Sequence, residues 1–562
     1  MYFSPPPWQS SCTAPWWRGR LGMSRADEEE GPFVCCFGRN VNGEAPPGAP
    51  LAGVPRPVRN VGAGLFHSFA VTGTGDLYVW GAGSGGQLGI KYEGSTIFGS
   101  GSTALTGEPT RVPLLVREDL TAEDEAAVAD ECVAVRVAGA AGGRNHTLAL
   151  SRAGSVFTWG RAANGQLGHG VATAPGATRR ITDADLREPK LVEAVGGAPA
   201  LPRLVAVSAG EHFSAGLTHS GTVYTWGAAA NGQLGRSAAS GVAEPRALPR
   251  ALFGAQTVSQ IALGWRHALA LTDDGALYSW GCGARGQLGR GATTDCASPA
   301  RIEALSREHV HLIAAGRAHS LAHTRGGGLT FAWGENESSQ CGLGTSGPPY
   351  AVRPTALPSL LDHSPLRSLA AGAAHSSFVS TAGRLLTCGE GAYGQLGVSP
   401  AHLASEWAVG RAVNAVDSGD GGGSGGGSGG AGVAAHCAVD GDGLAFTVPE
   451  PRVVPLASRA LQAACGAWHT VLLLAPGAIE PPPSPPTRSS DAASHHALGV
   501  ASGGGADSGG EHSSAMGAMS VHATGHAEAA ETAEAPAAEA VGAAAVAGEI
   551  EIEIAQSPLG GG

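Results

Sequence analysis

The feature that most constrains this chain is a phrase that keeps returning along it. In one full copy it reads Ala209-Gly210-Glu211-His212-Phe213-Ser214-Ala215, then a Gly221 turn, then Val223-Tyr224-Thr225-Trp226-Gly227, then Asn231-Gly232-Gln233-Leu234-Gly235. Another runs Leu263-Gly264-Trp265-Arg266-His267, Asp274-Gly275, Leu277-Tyr278-Ser279-Trp280-Gly281 and Gly286-Gln287-Leu288-Gly289. Self-similarity of this kind marks a repeat architecture, in which one unit buries its apolar face only against its neighbours. The histidine of the Gly-x-x-His element is read at His67, His146, His212, His267, His319, His375 and His469. The aromatic-Gly element follows at Trp80, Trp159, Trp226, Trp280 and Trp333, with Cys388-Gly389 in the sixth copy. A constant phrase at unequal spacing means one supersecondary unit carrying loop insertions of different size.

Each unit reads as short strands. Leu204 to Val207 is rich in β-formers, His212 to Leu217 is a second run, and a third ends at Trp226. Asp274-Gly275 signals a hairpin, because glycine takes positive φ without steric cost. The tryptophan offers a large ring for burial between units, about 1.5–3 kcal/mol each. After His469 no aromatic-Gly element follows, yet Phe37-Gly38 near the N-terminus reads as a degenerate one. If the start of the chain supplies the strand that the last unit lacks, the ring is closed by its two ends and no sheet edge is left open. The expectation is an all-β, seven-bladed β-propeller, closed by pairing of N- and C-terminal strands, with disordered termini.

Composition agrees. With 88 Gly, 43% apolar and only 15% charged residues, the chain is turn-dense but has a core to bury. Beyond Ala475 there are eleven acidic residues against the single base Arg488, which accounts for −10 of the net −12 and leaves −2 before it. A body that averages close to neutral lacks the footprint of a dedicated nucleic-acid binder.

The motif Gly-x-x-His-(Ser/Thr), the Tyr-x-Trp-Gly strand end and the Gly-Gln-Leu-Gly loop together resemble the regulator-of-chromosome-condensation repeat family over roughly residues 33–475. A WD-repeat origin fits worse, since every Trp at the strand end precedes Gly. The resemblance implies a seven-bladed propeller of four-stranded blades. It also implies three functional groups that the fold does not distinguish: an exchange factor for the small GTPase Ran that docks on chromatin, a plant ultraviolet-B photoreceptor, and scaffolds in trafficking, ubiquitin ligation or organelle biology.

The residues weigh these unequally. Exchange activity needs a wedge loop, and the nearest departure, Trp333 to Gly342, keeps the repeat's length. Light sensing needs clustered tryptophans, whereas only Gly264-Trp265-Arg266-His267 carries that pattern and Trp468 stands one position later in its copy. A histidine present once per blade suits a structural hydrogen bond better than catalysis or metal binding. Gly81 to Gly86 and Gly281 to Gly286 match a dinucleotide loop but run into Gln-Leu-Gly rather than a helix. The expectation is therefore a protein-interaction and regulatory scaffold and not an enzyme, with no catalytic, cofactor or metal residues. A guanine-nucleotide exchange factor for a Ran-like GTPase is the alternative, and a light sensor the weaker one. The partners expected are other proteins, a small GTPase among them, with nucleic acid disfavoured and the chain monomeric.

Individuality lies in the insertions, since loops on a rigid scaffold carry specificity. Residues 116–132 include Glu118, Asp119, Glu123, Asp124 and Glu125, and read as an acidic surface helix for docking a basic partner. Residues 398–448 contain a Gly/Ser linker. Residues 476–562 are an acidic low-complexity tail whose Glu549 to Ile554 alternation suggests a strand-forming partner motif. Residues 1–32 form an unstructured or targeting extension, in which Arg18, Arg20 and Arg25 precede any acid. Ten cysteines without C-x-x-C spacing read as free thiols, and no long apolar run suggests a span, so cytoplasm or nucleus is expected, with organelle import as the competing case.

Overall fold

The computed structural model describes residues 31–38, 50–90, 105–117, 132–170, 187–193, 201–237, 242–325, 328–398 and 447–478. They form seven antiparallel sheets arranged as blades. The inner strands of blades 1 to 7 are Val58–Ala63, Val137–Gly142, Leu204–Ala209, Val258–Leu263, Val310–Ala315, Leu366–Ala371 and Ser458–Cys465. Blades 1 to 6 have four strands in chain order. In blade 7 the second strand, His469–Ala478, takes Phe33–Gly38 as its neighbour, in a register that runs from Phe33 opposite Leu474 to Gly38 opposite His469. The ring is thus closed by its two ends as expected, and Phe37 lies in the aromatic-Gly position.

The ring also closes at its centre. In every blade the residue after the Gly of Gly-x-x-His donates its backbone N–H to a carbonyl of the next blade: Leu65 to Gly143, Arg144 to Glu211, Glu211 to Trp265, Trp265 to Gly316, Arg317 to Gly372, Ala373 to Gly466, and Ala467 back to Leu65. These seven bonds are 3.0–3.2 Å long. Buried backbone groups at the loop starts are satisfied from blade to blade, so the loops cannot move singly.

The motif residues explain one another. In the Gly-Gln-Leu-Gly loop the glutamine Oε1 accepts the backbone N–H two residues earlier, as from Gly85 to Gln87 and Arg285 to Gln287, each 2.8 Å. The same glutamine's carbonyl then points at the following blade, where it accepts the indole N–H: Trp159 to Gln87, Trp226 to Gln166, Trp280 to Gln233 and Trp333 to Gln287, all 2.9 Å. All five strand-end tryptophans are fully buried. One loop therefore holds itself and its neighbour at a single peptide.

At its edges the acidic insertion is strand and not the helix expected over residues 116–132, and residues 118–131 lie outside the described residues. Leu115–Arg117 and Cys132–Ala134 pair antiparallel, with Arg117 opposite Cys132, so the chain leaves and re-enters as a two-stranded ribbon. Val116 lies opposite Val133 in its register, and two β-branched residues favour a strand there. Glu118, Asp119, Glu123, Asp124 and Glu125 lie outside the described residues, as does Glu549 to Ile554. The Gly-rich insertion ends earlier than expected, because the outer strand of blade 6 begins at Thr447.

Candidate protein-interaction face

Strands that alternate in direction put the first-to-second and third-to-fourth loops of each blade on one face, here the upper, and the second-to-third turns and blade-to-blade connections on the other. Beneath the upper face lies a ring of buried polar pairs. His67 Nε2 meets Thr147 Oγ1 at 2.8 Å, His146 meets Ser214 at 3.0 Å, His267 meets Ser320 and His319 meets Ser376 at 2.9 Å, His375 meets Thr470 at 3.0 Å, and His469 meets Ser68 at 2.9 Å. Each bond crosses to the next blade, and five of the hydroxyls pass on to a loop glutamine carbonyl, as Thr147 does to Gln87 at 2.7 Å. Burial without a counter-charge drives His67, His146, His267, His319 and His375 down to about 3 and His469 to about 4, so all six are neutral. They are closed off from solvent.

His212 is a correction. Phe213, not His212, lies opposite Gly227 as His267 lies opposite Gly281, so blade 3 has phenylalanine in the histidine position. His212 stands two residues after Gly210, where the other six histidines stand three after their glycine, and the strand register agrees with that count. Phe213 is buried, while the His212 ring is 28% exposed on the upper face. Its next-blade partner position holds Ala268, so the one junction lacking histidine also lacks the hydroxyl.

The upper face carries what the repeat does not prescribe. Between the motif's Gly and His stand two free positions per blade, and these side chains gather round the axis. Leu65, Ala373 and Ala467 form a buried cluster with Phe66, Trp265 and Trp468 packed against it. Phe66 and Trp468 have ring centroids 5.4 Å apart, and Tyr393, 41% exposed, stands 5.6 Å from Trp468. The Arg317 guanidinium lies 5.2 Å over the Trp265 ring. Next to them Glu211 Oε1 accepts Arg144 Nη1 at 2.7 Å and Oε2 accepts Arg266 Nε at 3.1 Å. Burial works against the Glu211 carboxylate, but the two arginine hydrogen bonds outweigh it and hold its pKa below the ordinary range. The result is a buried acid that fixes two arginines whose side chains remain 43% and 57% exposed. Of these residues only Trp265 and Trp468 were weighed from the sequence, as members of a tryptophan cluster, because what gathers the rest is the stacking of equivalent loops around the axis.

Below the cap the inner strands present Gly62, Ala63, Ala140, Ala370, Ala463 and similar small residues to a cavity of about 240 Å³. Among the described residues there is no cluster of His, Cys, Asp and Glu able to hold a metal, and no helix long and apolar enough to cross a membrane.

A fold of seven such blades, tied by glutamine loops and buried histidines, defines a repeat propeller with a variable loop face. A family model described as "RCC1-like domain" matches residues 136–478, and models of the "Regulator of chromosome condensation (RCC1) repeat" match residues 58–87 and 74–150. The chain belongs to the RCC1 repeat family. It is 33% identical over 344 residues to the human E3 ubiquitin-protein ligase HERC2, covering 61% of this chain but 6% of that protein. It is 32% identical over 326 residues to the mitochondrial RCC1 domain-containing protein RUG3 of Arabidopsis thaliana, covering 50% of this chain and 66% of the relative. The ultraviolet-B receptor UVR8 of the same plant is 29% identical over 381 residues, covering 66% of this chain and 75% of the receptor. Among solved structures, human WBSCR16 shares the fold with a TM-score of 0.56 at 20% identity, covering 79% of this chain and 98% of that one. Prp20p of Saccharomyces cerevisiae, whose structure is reported with its binding properties to Gsp1p and histones, has a TM-score of 0.56 at 20% identity, covering 80% and 96%.

Proposed function

We propose that the chain is a protein-interaction and regulatory scaffold that binds partners through the upper face. The observation that carries this is the aromatic cap of Phe66, Trp265 and Trp468 with exposed Tyr393, bordered by Arg144, Arg266 and Arg317. Aromatic residues and arginine are the types enriched at binding hot spots, since they bury much area at modest entropic cost. The seven-bond backbone ring makes the loops beneath them rigid, which lowers the ordering penalty of association. Two substitutions test the reading. Trp265→Ala combined with Tyr393→Ala should remove a defined set of partners from the proximity-labelled neighbours of the full chain, while an outer-strand change such as Arg246→Ala should not. An unchanged partner set refutes it.

Guanine-nucleotide exchange draws on the fold shared with Prp20p alone, and release of a fluorescent guanine nucleotide from a panel of small GTPases, Ran included, tests it. Light sensing draws on the likeness to UVR8, with Trp265 as its one matching loop tryptophan. For compartment, cytoplasm or nucleus stays the proposal, with RUG3's mitochondrial name supporting the import alternative.

A further inference from the structure

Charge is segregated within this chain. Of its 35 Lys and Arg and 47 Asp and Glu, 26 and 16 fall on described residues, so the described propeller carries +10 and the remaining segments −22 of the net −12. The near-neutral body read from the sequence was an average of basic blades and acidic insertions.

Much of the excess lies on the lower face. The turn between the second and third strands of each of blades 1 to 6 packs on the residue that starts the next blade. A Cβ on Gly75 would meet Arg136 Cβ at 3.1 Å, one on Gly154 would meet Arg203 Cβ at 2.9 Å, and one on Gly383 would meet Arg459 Cβ at 2.6 Å. The turns add Arg152, Arg325 and Arg384. Arg136, Arg152, Arg203 and Arg325 are exposed. Two of the guanidinium groups are steadied by local bonds, Arg152 Nη2 by the Gly73 carbonyl at 3.0 Å and Arg136 Nη1 by Asp76 at 3.1 Å. Of the acids there, Asp76 also accepts from Arg111 and Thr74, and Asp274 from Thr272 and the Ala276 N–H, while Asp273, Glu303 and Asp362 are exposed around blade 4 and the connection into blade 6. Arginines stand on this face in blades 2, 3, 5, 6 and 7, exposed in blades 2, 3 and 5 and half-buried at Arg384 and Arg459.

We propose that this arginine face docks an acidic polypeptide segment. Guanidinium groups steadied on one edge leave the other for planar carboxylates, which they take in a fork. Separated points on successive blades suit a chain that places one carboxylate per contact, whereas a phosphate backbone calls for a continuous basic stripe. A lipid surface calls for apolar side chains to insert. Among the large exposed hydrophobics of the described residues, Leu361 and Val453 stand near this face's connections, both at blade 6 and not spread round the ring.

The test uses the full chain and a fluorescein-labelled peptide of alternating Glu and Ser, read by anisotropy. Saturable binding should fall by at least about tenfold with Arg203→Glu plus Arg384→Glu. It should also weaken steeply between about 0.05 and 0.5 M NaCl. Neutral Arg203→Gln plus Arg384→Gln should give an intermediate loss, which guards against a folding defect in the reversed variant. A Gln/Ser peptide that binds equally, or reversal that leaves affinity unchanged, overturns the proposal. So does a DNA duplex or phosphatidylserine vesicle that outcompetes the peptide, since the face would then belong to that polyanion. These outcomes leave the upper-face reading untouched, because Trp265 and Tyr393 lie on the opposite side.

Discussion

Phe213 and Ala268 hold, in blades 3 and 4, the positions that a histidine and a hydroxyl residue hold at the six other junctions, and both are fully buried. Losing both members of a buried hydrogen-bonded pair is nearly neutral, whereas losing one strands a polar group at about 1–3 kcal/mol. A double-mutant cycle follows. Phe213→His alone should destabilise by about that amount, Ala268→Ser alone by less, since its hydroxyl can turn to the Gln233 carbonyl, and the pair should recover at least about 1 kcal/mol in urea unfolding. Strict additivity would mean that the junction is not a coupled unit.

Blade 6 shows a swap of volume. Cys388 replaces the strand-end tryptophan, while Phe378 stands where blades 1, 2, 4 and 5 have Ala70, Ala149, Ala270 and Ala322; both lie in one buried cluster. Cys388→Trp should overpack, at about 1–3 kcal/mol, and Phe378→Ala should leave a cavity at about 3–5 kcal/mol. Combined, they should cost less than Phe378→Ala alone. Melting temperatures of the three variants decide it.

Ser339 has φ +61° at the loop position where five other copies have glycine with φ between +73° and +80°. A side chain there crowds its own carbonyl, at about 1 kcal/mol. Ser339→Gly should therefore raise stability by up to about 1 kcal/mol, even though glycine loosens the unfolded chain. A lower melting temperature would show that the serine hydroxyl offsets the strain.

The histidine ring sets an acid limit. The folded pKa values of about 3 to 4 lie below the ordinary 6.5, so the unfolded chain binds more protons in the window between them. The ring's contribution is complete above about pH 6.5 and is lost progressively as pH falls toward 4. Thermal melts from pH 7 to 4.5 should show a steep decline that becomes shallower, by about one sixth of the linkage, when His319 is replaced by Gln. A flat profile across that window would refute the linkage.

The repeat was legible because a blade is a local object: strand, turn, strand and glutamine loop follow one another in the chain, and each copy prints the same residues. Closure by Phe33–Gly38 was legible too, because one missing aromatic-Gly element at one end matched a surplus one at the other. His212 misled because a histidine close to the expected place stood in for the spacing: it lies two residues after Gly210 and not three, and the pairing of Phe213 with Gly227 shows which residue fills the slot. The acidic insertion read as a helix because its Glu- and Ala-rich interior has helical preferences, while the valines at its edges form the observed strands.

Sequence by itself determined the number of blades, their order and how the ring closes, since these rest on short-range patterns and on β-strands needing partners. Only the tertiary structure decided which side chains stand together: the aromatic cap, the Glu211 clamp between Arg144 and Arg266, and the lower arginine ring. Those residues lie tens of positions apart in the chain, and what unites them is the rotation of one blade onto the next, which stacks equivalent loops around a common axis.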